Sequence, residues 1–120
     1  MVATQIIINT EILNNAIFDD FTAAEKLDFL AHPSTLVFGV YVENDIEAAG
    51  VFHFNSTHIF VRYLVGAFHK HIKTIDTFAV EIGKTLKLDF VAMEYQRDAI
   101  KKIGKELGYE ISDNELVKGI

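Results

Sequence analysis

The histidines are the side chains of this sequence whose type and spacing most directly suggest chemistry. Four of them fall within a short stretch: His53, His58, His69 and His71. Neutral imidazoles are common zinc ligands. However, residues two apart point to opposite sides of a strand and about 200° apart on a helix, so His69 and His71 could share one ion only from an irregular loop. Because no carboxylate or cysteine at ligand spacing completes the set, we predict no metal site.

Length and composition limit the remaining classes of protein. The 120 residues predict a single domain over residues 1–120. Half of the residues are hydrophobic and 23% are charged, as in ordinary globular proteins. The lack of cysteine excludes disulfides, thiolate metal sites and cysteine nucleophiles. The sequence also has no Ser-His-Asp order, phosphate-binding P-loop or dinucleotide fingerprint, so those enzyme classes are set aside.

The charge distribution indicates which partners to expect. The net charge is −6; residues 1–60 have eight acidic residues against Lys26 alone, or −7, and residues 61–120 have nine against ten basic ones, or +1. Because nucleic-acid-binding proteins cluster Lys and Arg, we predict no nucleic-acid partner and place any anionic ligand in the second half. No apolar run reaches the roughly 18 residues of a membrane span, and the N-terminus lacks the basic region of a signal peptide. We therefore expect a cytoplasmic protein without a membrane partner.

Hydrophobic periodicity predicts the element order β-α-α-β-β-β-α-β-α-β, in which the last β stands for two short strands. Three successive extended runs indicate an antiparallel meander, and the pattern then changes to the 3.6-residue period of a helix of about four turns. The long helix requires the third meander strand to run parallel to the next strand, and we expect the two to splay apart near Gly66 and Glu94. The predicted strands are 5–8, 36–42, 48–54, 58–65, 90–93, 109–111 and 115–117, and the predicted helices begin at Thr10, after the Thr22 capping box, at Ile72 and at Ala99.

Two local sequences in this order resemble the GNAT (Gcn5-related N-acetyltransferase) family. One is LVGAFHKHIKT at residues 64–74, between the third meander strand and the long helix; the other is AIKKIGKELGY at residues 99–109, which looks like the family's Leu-Gly-Phe/Tyr ending. The likeness covers most of the chain and looks closest to short phage-encoded GNAT-like proteins, which share His32-Pro33 and a compact final strand at 115–120. It implies an α/β (α+β) fold with a mixed, twisted sheet of six or seven strands flanked by four helices.

The resemblance implies acetyl-CoA as the cofactor. In the family the strand-to-helix loop reads Arg-x-x-Gly-x-Gly/Ala, and its backbone N–H groups cradle the pyrophosphate. The matching positions here are His69, Ile72 and Thr74, so the arginine and both glycines are absent. Backbone donors need no particular side chain, whereas β-branched Ile72 opposes a close approach, so binding and loss of binding both remain open. The implied cofactor-binding residues are Leu64, Val65, His69, Lys70, His71, Ile72, Lys73 and Thr74.

The implied acetyl transfer also needs groups that move protons. A base must remove a proton from the acceptor amine, and the candidates at strand ends are His53, His58 and Glu94. Many members of the family have a tyrosine one turn into the last helix as general acid, and Gly104 stands at that position here. Tyr95 is the alternative donor. The implied catalytic residues are therefore Glu94, Tyr95 and His58.

Two functions follow from the resemblance. The first is an acetyl-CoA-dependent N-acetyltransferase that acts on an amine of a small molecule or a protein. The second is a non-catalytic GNAT-like phage protein, a pseudoenzyme without cofactor. Such a protein would act in virion assembly or bind a host protein in the host cytoplasm, as a homodimer or with another partner.

Overall fold

A computed structural model describes residues 4–94, 98–113 and 115–120. Seven strands form one mixed sheet of order β1-β2-β3-β4-β5-β7-β6. The strands are β1 (Thr4–Ile8), β2 (Thr35–Val42), β3 (Asp45–Phe54), β4 (His58–Gly66), β5 (Phe90–Glu94), β6 (Glu110–Ser112) and β7 (Glu115–Gly119). The α-helices of the described part are α1 (Ala23–Ala31), α2 (Ile72–Thr85) and α3 (Asp98–Glu106), and 3-10 segments lie at Thr10–Asn14, Ala16–Phe18 and Phe68–His71.

The first of two compact units comprises Met1–His53 and Tyr63–His71. Strand β2 pairs antiparallel with β1 and with β3, and the β2–β3 pairing confirms the first hairpin of the predicted meander. The β2–β3 turn consists of Glu43 and Asn44, both with positive φ (52° and 78°), which is the backbone of a type I′ hairpin turn. The core of this unit consists of Ile12, Leu13, Phe18, Phe29, Val37, Ala49 and Val51.

The helix predicted to begin at Thr10 is wrong, and with it the count of four helices. Two 3-10 segments replace it, because the Asn15 side chain accepts an N–H group that a continuous helix would use, whereas Asn9 caps the first segment. Asn9 Oδ1 accepts from the Glu11 N–H (2.9 Å), and Asn15 Oδ1 accepts from the Ile17 N–H (3.0 Å). The next predicted helix is confirmed as α1, which begins after the capping box at Thr22.

The second compact unit comprises Phe54–Arg62 and Ile72–Ile120. Within it β4 and β5 are parallel, in a register that runs from His58 opposite Phe90 to Val61 opposite Met93. The predicted crossover through α2 is therefore confirmed. Strand β7 pairs antiparallel with both β5 and β6.

The end of α3 positions the C-terminal strands. Gly108 has a φ of +93°, and the N–H of Tyr109 donates to the carbonyl of Gly104 at 2.9 Å. This pattern is a Schellman ending, for which glycine is the favoured residue, and it confirms the sequence-based placement of the helix end. No helix in the described ranges is long and apolar enough to cross a membrane.

Candidate functional site

The junction between β4 and α2, defined here as residues 66–74, is a tight turn held against β3. Gly66 has a φ of +75°, and the N–H of Ala67 donates to the carbonyl oxygen of Glu47 at 2.8 Å. The 3-10 segment Phe68–His71 then leads directly into α2. A Cβ on Gly66 would lie 2.6 Å from that same carbonyl oxygen, so both the backbone angle and the available space require glycine.

We therefore expect Gly66→Ala to lower the free energy of unfolding by about 1–2 kcal/mol, the typical strain of a left-handed non-glycine residue. Urea denaturation measures the change. Gly119→Ala is the matched control, because no atom lies within 4 Å of its added Cβ. Equal stability of the two variants would show that the junction does not need its glycine.

The first turn of α2 is the part of the junction that suits an anion. The first N–H groups of an α-helix have no acceptor within the helix, and the helix dipole adds positive potential there. The first residues of α2, which continues directly from the 3-10 segment, are Ile72, Lys73 and Thr74. The last two residues are exposed and Ile72 is half-buried. A phosphate could therefore approach the backbone from the side of Lys73 and Thr74.

A carboxylate from β3 pairs with a lysine and a histidine of the junction. Glu47 Oε1 accepts from Lys70 Nζ at 3.1 Å and from His71 Nε2 at 2.8 Å. The side chain of His71 is only 8% exposed, against 67% for Lys70. The hydrogen bond from His71, followed by that from Lys70, lowers the pKa of Glu47 below its usual value. A negative charge therefore lies next to Lys70 and His71.

Sequence reasoning missed Glu47 as a site residue. It lies 23 residues before Lys70 and 24 before His71, and no local motif marks it. The other predicted cofactor-binding residues have different surroundings. Leu64 and Val65 are half-buried, Val65 packing against the core of the first unit, and the exposed His69 ring lies 4.2 Å from that of Phe68.

The predicted catalytic residues do not all lie at one end of the sheet. His58 is the first residue of β4, whereas the junction begins at the last, Gly66. The His58 ring stacks on Phe60 and Phe90, with centroids 5.4 and 4.8 Å apart, and its Nδ1 lies 2.7 Å from Thr57 Oγ1. His58 is therefore engaged in contacts of its own at the amino end of β4.

The structure describes fewer contacts for the other candidate catalytic residues. The backbone of Glu94 closes β5 opposite Glu115, but its side chain lies outside the described part of the chain, as does the whole of Tyr95. His53 stacks on His32, with ring centroids 4.2 Å apart. Among the described residues, no three histidine, aspartate or glutamate side chains lie close enough together to hold a metal ion.

Gly104, the position where many GNAT proteins have a tyrosine, has no space for a side chain. It is buried, and a Cβ added there would overlap Cδ1 of Leu116 on β7. A side chain at this position would point into the packed C-terminal part of the second unit. A general acid therefore cannot stand at position 104.

A buried ionic cluster fixes α2 to the C-terminal strands. Lys118 Nζ on β7 donates to both carboxylate oxygens of Asp76 on α2, at 3.0 and 2.8 Å, and to the carbonyl of Leu107 at 3.0 Å. Tyr109 Oη donates to Asp76 Oδ1 at 2.6 Å. Burial, reinforced by the Asp76 carboxylate, raises the pKa of Tyr109 far above its usual value, so the phenol remains a donor. One turn of α2 next to the candidate anion site is thereby held in place.

Comparison with solved structures relates this architecture to known proteins. A GNAT family acetyltransferase from Elizabethkingia anophelis with acetyl-CoA bound superposes with a TM-score of 0.77 at 10% identity, over 98% of each chain. A probable acetyltransferase from Staphylococcus epidermidis gives a TM-score of 0.79 at 10% identity, over 98% of this chain and 99% of that one. An N-acetyltransferase from Campylobacter jejuni in complex with acetyl coenzyme A gives a TM-score of 0.65 at 15% identity, over 98% of this chain and 99% of that one.

The chain therefore has the GNAT fold, which confirms the resemblance seen at residues 64–74 and 99–109 at the level of the fold. No protein-family model matches the sequence, and a search of curated proteins gives no match. The mixed α+β class and the seven-stranded sheet agree with the sequence-based prediction.

Proposed function

We propose that this protein is an acetyl-CoA-dependent N-acetyltransferase that binds the cofactor's pyrophosphate at the first turn of α2. The observation that carries the proposal is the first turn of a 14-residue helix, exposed at Lys73 and Thr74, that follows β4 through the 3-10 segment Phe68–His71, in a fold whose solved neighbours include acetyl-CoA complexes. Lys73 and Thr74 flank the backbone donors with one positive charge and one hydroxyl. The acceptor is an amine of a small molecule or a protein, and the site of action is the cytoplasm.

Bound acetyl-CoA supplies a thioester whose carbonyl carbon takes the amine nitrogen, the C–N bond forming as the C–S bond breaks. Glu94 accepts the proton that the amine loses, and Tyr95 donates a proton to the departing sulfur. We assign the base to Glu94 because β4 and β5 are parallel: Glu94 lies at their carboxyl ends, whereas His58 pairs with Phe90 at their amino ends.

Lys73→Glu should weaken coenzyme A binding by about 1–2 kcal/mol, because it places a like charge beside the pyrophosphate at a helix N-terminus. Isothermal titration calorimetry measures the change. Lys84→Glu is the matched control: it makes the same charge change at an exposed position near the other end of α2 and should leave the affinity within about twofold. Equal losses in both variants would place the cofactor elsewhere.

A second candidate function is a non-catalytic GNAT-fold protein that binds another protein, in virion assembly or in contact with a host factor. Two observations favour it. Ile72 presents a β-branched side chain where the family has glycine, and the carboxylate of Glu47 pairs with Lys70 and His71 of the junction. Both features weaken a pyrophosphate site without disturbing the fold.

Release of free coenzyme A from acetyl-CoA, followed with a panel of amines, separates the two candidates. Turnover with at least one amine supports the acetyltransferase. No binding of coenzyme A or acetyl-CoA at millimolar concentration would contradict it and would favour the protein-binding role.

A further inference from the structure

Strand β1 is an edge strand that lacks the usual protection against pairing with a further strand. It pairs with β2, and no described strand lies on its other side. Charges, proline, bulges and very short length normally protect an edge, but residues 4–8 read TQIII and pair with β2 in an unbroken register. The strand at the other edge, β6, has only three residues and begins with Glu110. The unprotected edge is therefore that of β1.

The hydrogen bonds to β2 show which backbone groups of β1 point outward. The N–H of Asn9, whose backbone is extended, donates to the carbonyl of Val37 at 3.1 Å. These two residues stand opposite each other when the β1–β2 register is continued by one position. In an antiparallel pair, residues that bond to the neighbouring strand alternate with residues whose N–H and C=O groups face away from it. The outward-facing residues of β1 are therefore Thr4, Ile6 and Ile8.

These outward-facing groups form a set that is symmetric about Ile6. A second β1 strand, related by a twofold axis at Ile6, places Ile6 opposite its own copy and Thr4 opposite Ile8. Each of these is then a hydrogen-bonded pair, so every outward N–H and C=O group of the strand is used. Any other position of the axis leaves an outward-facing residue of the strand without a partner in the second strand.

We propose that β1 pairs antiparallel with β1 of a second copy of this chain, so that the two sheets join edge to edge about an axis at Ile6. The side chains fit this pairing. Gln5 lies opposite Ile7 on one face of the joined sheet, and β-branched residues oppose each other on the other face. Ile7 and Ile8 are 39% and 53% exposed in the single chain. Because the strand is uncharged, its two copies meet without opposed like charges, although the chain has a net charge of −6.

The dimer should be weak, because five residues of strand bury less than the roughly 1,200 Å² of a standard interface. We expect a dissociation constant of about 10–100 µM. Sedimentation velocity at rising protein concentration should show a shift from monomer to dimer over this range. A protein that remains monomeric at about 1 mM, well above the expected constant, would overturn the proposal.

Disulfide cross-linking tests the register, because the chain has no cysteine of its own. In the proposed pairing, Gln5 and Ile7 of different copies form a non-hydrogen-bonded pair with Cα atoms about 4.5 Å apart, within reach of a disulfide. Two copies of either residue are about 8 Å apart, since they are offset by two residues along the strands, and this is too far. We expect a mixture of Gln5→Cys and Ile7→Cys to form at least about tenfold more cross-linked dimer than either variant alone.

Ile8→Lys tests the surface without an engineered bond. A lysine on an edge strand opposes further pairing, and the exposed position should tolerate it in the folded chain. We expect the dissociation constant of the dimer to rise at least about tenfold. Leu27→Lys is the matched control, because it makes the same change at a residue of α1 that is 67% exposed, and it should change the constant by less than about twofold.

The outcomes separate pairing through β1 from other association. Equal weakening by Ile8→Lys and Leu27→Lys would show that the dimer does not depend on the β1 edge and would refute the proposal. Equally fast cross-linking of Gln5→Cys or Ile7→Cys alone would refute the register about Ile6. Cross-linking of the mixture, together with weakening by Ile8→Lys alone, supports the proposal. None of these measurements involves coenzyme A, so their result is independent of the proposed acetyl transfer.

Discussion

Lys118→Met should lower the free energy of unfolding by about 3 kcal/mol, because it leaves the Asp76 carboxylate buried without its cation. The side chains of Lys118 and Asp76 are only 17% and 10% exposed, so water cannot replace the lost partner. The variant also loses the hydrogen bond to the carbonyl of Leu107 and the ammonium group 4.6 Å above the Tyr109 ring. Urea denaturation, followed by circular dichroism, measures the change.

Two further variants separate the lost charge pair from simple side-chain replacement. Lys102→Met alters an exposed lysine of α3 and should change stability by less than about 0.5 kcal/mol. Adding Asp76→Asn to Lys118→Met should recover part of the loss, because the amide carries no charge and its oxygen still accepts from Tyr109. If Lys118→Met is as stable as Lys102→Met, the cluster contributes nothing to the attachment of α2.

Gly104→Tyr should also destabilise the protein, by about 3 kcal/mol, the upper part of the usual range for overpacking a core. The added ring would meet Leu116, which is fully buried on β7. Sequence comparison alone suggests that a tyrosine here would supply a general acid. In the structure, the position faces packed side chains, so the substitution should create no acid and should not raise the rate of acetyl transfer.

Lys102→Tyr provides the control for that substitution, because it introduces the same side chain at an exposed position of α3. We expect it to leave the unfolding midpoint nearly unchanged. Release of coenzyme A from acetyl-CoA is measured for both variants. A folded Gly104→Tyr protein with faster turnover would show that α3 can turn this position toward the cofactor.

Local sequence was sufficient to predict most of the fold, since the signals for its elements lie within a few residues. Three extended runs within residues 36–65 predicted the meander, the 3.6-residue period after Gly66 predicted α2, and Gly108 marked the end of α3. The long helix between two strands then required a parallel crossover, which the β4–β5 register confirms. Thr10 was misleading, because the side chain of Asn15 takes the Ile17 N–H that a continuous helix would use, and residue propensity does not reveal that competition.

The arrangement of the candidate site was decided by tertiary structure, because its decisive contacts join residues far apart in the chain. Glu47 meets His71 across 24 residues, and Asp76 meets Lys118 across 42. Strand periodicity assigns a residue to a face of the sheet but not to a position along the strand relative to a loop, so it could not show that His58 and the junction lie at opposite ends of β4. Motif matching predicted a cofactor loop from local residues, whereas only the packing of β3 against the turn after β4 brought Glu47 to Lys70 and His71.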